Sequence, residues 1–94
     1  MDATKIVVSP LVSEKNAELL AKDGIYVFEV ALSADKLKVR AAVESLFSVD
    51  VVSVRTLVCR GRRSVRSRSL RVDRWKKALV KIAPGQKIGI FEGV

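Results

Sequence analysis

Histidine is absent from these 94 residues, and with it goes the commonest general base near neutral pH. No Ser-His-Asp or Cys-His set can be assembled. Cys59 is the single cysteine. It allows neither an internal disulfide nor a cysteine zinc site, fits a reducing compartment, and reads as a small residue at a strand end. The ten acids are scattered, and Glu14, Glu18, Glu29, Glu44, Asp50, Asp73 and Glu92 share no ligand-like spacing. Gly85 and Gly89 make no phosphate-cradling motif. Catalysis, a metal, a cofactor and a small-molecule substrate are therefore all unexpected. No apolar run approaches the roughly 18 to 20 residues of a membrane span, so membrane insertion is not expected. The opening Met-Asp-Ala-Thr has no basic stretch leading into an apolar one, so no secretory signal is expected and the cytoplasm is the expected site. Aromatics make up only 5% of the chain, which leaves Val, Leu, Ile and Ala to build the core.

What the chain does have is positive charge in one place. The 23 residues from Arg55 to Lys77 hold ten of the 18 basic residues and one acid, Asp73, while the rest of the chain holds eight basic and nine acidic residues. The whole formal charge of +8 thus resides in this segment. Eight of its ten cations are arginines, which stay charged at physiological pH and match two phosphate oxygens at once. Ser64, Ser67 and Ser69 space them without hiding the charge. From Gly61 to Leu70 no apolar periodicity exists, so residues 60–75 read as a long loop. Such a loop repels itself in isolation, and on a phosphate backbone it releases counterions. Trp75, between Arg74 and Lys76, is placed to stack on a base or ribose. A loop kept only for solubility would mix its signs, and a membrane-surface site would want an amphipathic helix or lipid anchor beside it.

The rest of the chain reads as one α+β domain spanning residues 1–94. Ile6, Val7 and Val8 form an edge-strand run closed by Pro10. Ser13 caps a helix with Glu14 in its first turn. This helix reaches about Lys22, carries Ala17, Leu20 and Ala21 on one face and a Glu18–Lys22 pair, and stops at Gly24. Tyr26, Phe28 and Val30 alternate with Val27 and Glu29, a strand with one buried face. Ser33 or Asp35 caps a second helix, about Lys36 to Phe47, whose Val39, Val43, Leu46 and Phe47 face the sheet, with Lys36, Lys38 and Arg40 on the other side. In the next strand Val52, Val54, Thr56 and Val58 share one face, and Ser53, Arg55 and Leu57 the other. After the loop, Ala78, Val80 and Ile82 point inward, and Trp75, Lys77, Leu79 and Lys81 outward. That alternation favours an exposed tryptophan. Pro84-Gly85 is a turn, and Ile88 to Phe91 a last short strand. The basic loop joins two strands that pair antiparallel, a form suited to an irregular phosphate surface such as folded RNA.

Several pieces, in this order, resemble the bacterial type of the universal large-subunit ribosomal protein twenty-three family. They are Pro10-Leu-Val-Ser-Glu-Lys15, Tyr26-Val-Phe-Glu-Val30, Asp35-Lys36, Val39-Arg-Ala-Ala-Val-Glu-Ser-Leu-Phe47, Val49-Asp-Val51, Thr56-Leu-Val58, Arg74-Trp-Lys-Lys-Ala78 and Pro84-Gly-Gln-Lys-Ile88. The resemblance implies a four-stranded antiparallel sheet with two main helices packed on it and the long basic loop between two strands. It implies a structural protein of the large ribosomal subunit that binds rRNA at the rim of the polypeptide exit tunnel, among neighbouring ribosomal proteins. In this family a glutamate of the Ser-Glu-Lys motif docks trigger factor, and the signal recognition particle uses the same neighbourhood. The matching residue is Glu14, which the helix dipole alone would also explain. The chain departs from the family pattern at Arg55, where Asn is usual, at Asp35, where Thr or Asn is usual, and in preferring Arg and Ser over Lys and Gly in the loop.

The expected rRNA contacts are Arg60, Arg62, Arg63, Arg66, Arg68, Arg71 and Arg74, helped by Arg55, Trp75, Lys76 and Lys77 and extended by Lys15 and Lys36. Three alternatives stand beside this reading. One is a free RNA-binding module, although the aromatic-bearing RNP1 strand is missing. Another is a protein-interaction adaptor whose basic loop meets an acidic partner, and the third an organellar homologue.

Overall fold

A computed structural model describes residues 3–61 and 73–89. The elements in chain order are α1 (Ala3–Ile6), β1 (Val7–Pro10), α2 (Glu14–Asp23), β2 (Ile25–Val30), α3 (Lys36–Phe47), β3 (Val51–Gly61) and β4 (Asp73–Ile82). The strands form one antiparallel sheet in the order β1-β2-β4-β3. This is the expected α+β architecture, with a short helix added in front of β1. Ile6 ends that helix and the edge strand starts one residue later.

Both main helices begin and end where local chemistry directs. The Asn16 N–H donates to Ser13 Oγ at 3.1 Å, and Gly24 closes α2 in the left-handed region at φ 67°, a conformation glycine adopts without steric cost. At α3 the choice between Ser33 and Asp35 falls to Asp35, whose Oδ1 accepts from the Lys38 N–H at 2.9 Å. Ser48 ends α3 with φ 53°.

The core lies between α3 and one face of the sheet. Phe28 of β2 is fully buried and stacks on Phe47 of α3 with ring centroids 5.7 Å apart. Val39, Val43, Val80 and Ala78 close around this pair. Ala42 is buried where Leu46 was expected, and Leu46 is exposed. The N–H of Ile88 donates to the Tyr26 hydroxyl at 3.1 Å, fixing the chain after β4 against β2. Ile88 is buried there but not in a strand, and Ile90 and Phe91 of the expected last strand lie outside the described residues.

Two expectations of alternation fail for physical reasons. β2 is buried on both faces: Val27 and Glu29 are as enclosed as Tyr26 and Phe28. β2 is an interior strand, and α2 lies against its Val27 side, where Ala17 and Leu20 line a hollow with Val27. No residue of α2 is itself buried, and Ala17 and Ala21 are exposed, so that helix rests on the sheet without an apolar stripe sunk into it. In β3, a register shift between Val51 and Ser53 turns Val51 into the core and leaves Val52 exposed. One extra residue in a ladder reverses the facing of what precedes it.

Candidate nucleic-acid interface

β3 and β4 outrun the rest of the sheet. β2 pairs with β4 only from Ile25 opposite Lys81 to Val30 opposite Lys76, whereas β3 continues to Cys59 opposite Trp75, Arg60 opposite Arg74 and Gly61 opposite Asp73. The last pairs therefore form a two-stranded ribbon beyond the third strand. Residues 60, 61 and 73–75, expected at the ends of a loop over 60–75, are ladder residues, and the rest of that expected loop lies outside the described residues. Arg62, Arg63, Arg66, Arg68 and Arg71 lie outside the described residues.

The ribbon sorts its side chains by alternation. Arg60 and Arg74 face each other directly and both are exposed. Like charges in that position are destabilising by a few tenths of a kcal/mol up to about 1 kcal/mol. Such a pair is tolerated in water and favoured once an anion sits between the two groups. The opposite face carries Arg55, Leu57 and Cys59 of β3 beside Leu79, Lys77 and Trp75 of β4. Arg55 and Leu57 are exposed there, and Trp75 is half-buried, not the exposed ring that the alternation favoured.

Two of the expected lysines are partly enclosed by the fold. The Lys76 ammonium donates to the Ala34 carbonyl at 2.8 Å, which ties the base of the ribbon to the start of α3. That tie brings exposed Lys36 to the same end of the molecule. Lys77 is half-buried, stands opposite the buried Glu29 in the ladder, and lines a hollow with Lys15 and Lys22 of α2. The structure thus gathers Arg55, Arg60, Arg74, Trp75, Lys76 and Lys77 on and around the ribbon, with Lys36 on one side and Lys15 on the other. Glu14 opens α2 one residue from Lys15 and is exposed. Among the described residues no cluster of His, Cys, Asp and Glu could hold a metal ion, and no helix is long and apolar enough to cross a membrane.

The cross-strand pairing of Arg60 with Arg74 is the feature that sequence reasoning missed. Its only signal was the length of the charged segment relative to the β2 strand, because register is invisible until both strands are placed.

The family described as Ribosomal protein L23 matches residues 5–90. The chain is similar to large ribosomal subunit protein uL23 of Bdellovibrio bacteriovorus, at 50% identity over 91 residues covering 96% of this chain and 98% of the relative. It is similar to the protein of the same name from Herpetosiphon aurantiacus, at 41% identity covering 98% of each. The counterpart in Pseudomonas savastanoi is 46% identical over 86 residues, covering 89% of this chain and 86% of the relative.

Proposed function

Given that the chain belongs to the ribosomal protein L23 family and is a structural protein of the large ribosomal subunit, not an enzyme, we propose that its β3–β4 ribbon holds folded rRNA at the rim of the polypeptide exit tunnel. The observation that carries this reading is the concentration of ten of 18 basic residues between Arg55 and Lys77, with exposed Arg60 and Arg74 opposed across a ribbon that reaches past the sheet. Two guanidinium groups on opposed ladder positions can grip phosphates from adjacent strands or turns of RNA. The serine-spaced arginines of residues 62–72 would extend the same grip. Specificity then comes from the shape of the RNA and the placement of its phosphates more than from a base code.

The protein works in the cytoplasm on the ribosome, beside neighbouring ribosomal proteins. Glu14 is the docking residue for trigger factor, and the signal recognition particle uses the same neighbourhood. The support for this is the family motif Ser13-Glu14-Lys15, an exposed carboxylate at a helix start, and the nearness of Lys15 to the ribbon base through Lys77.

Replacing Arg55, Arg60 and Arg74 together with alanine tests the rRNA reading. The log–log salt dependence of binding to large-subunit rRNA should flatten by roughly two to three units, near 0.7 to 0.9 for each phosphate no longer engaged. A slope equal to that of the unaltered protein would mean that these arginines do not touch phosphates.

A further inference from the structure

At the end of the sheet away from the ribbon, the stop of α2, the start of β2 and the turn after β4 enclose a cleft of about 460 Å³. That is within the range of roughly 300 to 1,000 Å³ in which clefts hold a small organic group. Its floor is apolar, with Leu20, Tyr26, Ile82 and Ile88, and its rim carries Lys81, Lys87 and Asp23. These three rim side chains are exposed. A Cβ at Gly24 or at Gly85, both on the rim, would meet nothing within 4 Å, so the backbone there is open to close approach.

We propose that this cleft receives one unstacked nucleotide of the rRNA, its phosphate held by Lys81 and Lys87 and its base set on the apolar floor. The inference rests on the rRNA-binding reading and adds to it a second contact point remote from the arginines. A nucleotide fits all three features of the cleft at once. Its base suits an apolar floor and its phosphate suits the lysines. A base amino group can donate to the Asp23 carboxylate. The placement along β4 also favours one RNA reaching both ends. Lys81 shares the outward face of β4 with Trp75, Lys77 and Leu79, and six residues of strand put it roughly 20 Å from Trp75.

The test uses the full chain bound to large-subunit rRNA. Lysine acetylation read by mass spectrometry should slow at least tenfold at Lys81 and Lys87 in the complex. The double variant Lys81→Glu, Lys87→Glu should bind about tenfold more weakly. Its salt slope should be flatter by roughly 1.4 to 1.8 units, with an unchanged thermal midpoint. If the unaltered chain binds rRNA while both lysines react at their free rate, the cleft is not a nucleotide site, and the ribbon reading stands. If the unaltered chain shows no preference for rRNA, the ribbon reading falls and the cleft proposal falls with it.

Discussion

The two ends of the β3–β4 hairpin are built on opposite principles. Toward α3, the inward positions of β4 from Ala78 to Ile82 are filled by small or branched apolar residues, with Ala78 and Val80 fully buried and Ile82 nearly so. There β4 is held between β2 and β3, and the face it shares with β2 packs beneath the Phe28–Phe47 stack. Past Lys76 the same two strands have only each other, and the inward positions become Arg60 and Arg74. One end is stabilised by what it excludes from water. The other has like charges that water and salt must screen until something anionic arrives. The difference teaches that a single hairpin can be core at one end and, on the proposed reading, ligand surface at the other, with the boundary set by where the third strand stops.

The largest expected effect breaks the core end. Phe28→Ala should lower unfolding free energy by about 3 to 5 kcal/mol, because it empties a fully enclosed site and removes the Phe47 stack. Denaturant titration followed by far-UV circular dichroism checks this, and a destabilisation below about 1 kcal/mol, well under the usual range for such a truncation, would mean that the α3–sheet packing is misdescribed. The smallest effect sharpens the ribbon end. Arg60→Ala with Arg74→Ala should leave the stability of the free protein unchanged or raise it by a few tenths of a kcal/mol, since a repulsive cross-strand pair is relieved. A clear drop in stability in the same titration would show that these arginines have structural work in the free fold.

Much of the core end was legible in the sequence. Ser13, Gly24 and the periodic Val39 and Val43 mark their elements by chemistry that acts within a few residues. The alternation of Ala78, Val80 and Ile82 was equally plain. What was not legible depended on distant partners. Val27 and Glu29 look like solvent-facing positions until α2 is laid over β2. Val52 looks like a core residue until the register shift beside it is known. Leu46 fits the helical stripe but sits at its margin, and the smaller Ala42 occupies the close approach to the sheet. In the interface, the charge segment was evident from composition alone. Lys76 could not be recognised as a tie to Ala34, because its partner lies 42 residues away, and the ribbon's opposed arginines required the strand register.

The most direct measurement of the central claim is directed hydroxyl-radical probing from the ribbon inside the assembled large subunit. An iron chelate tethered at Leu57→Cys, with Cys59→Ser to leave a single thiol, would sit on an exposed position of the ribbon base without removing an arginine. A ribbon that holds rRNA predicts strong, localised cleavage of the large-subunit rRNA backbone around the tether. Full incorporation of the labelled protein with no cleavage above the untethered background would contradict it, because the ribbon would then face away from the RNA.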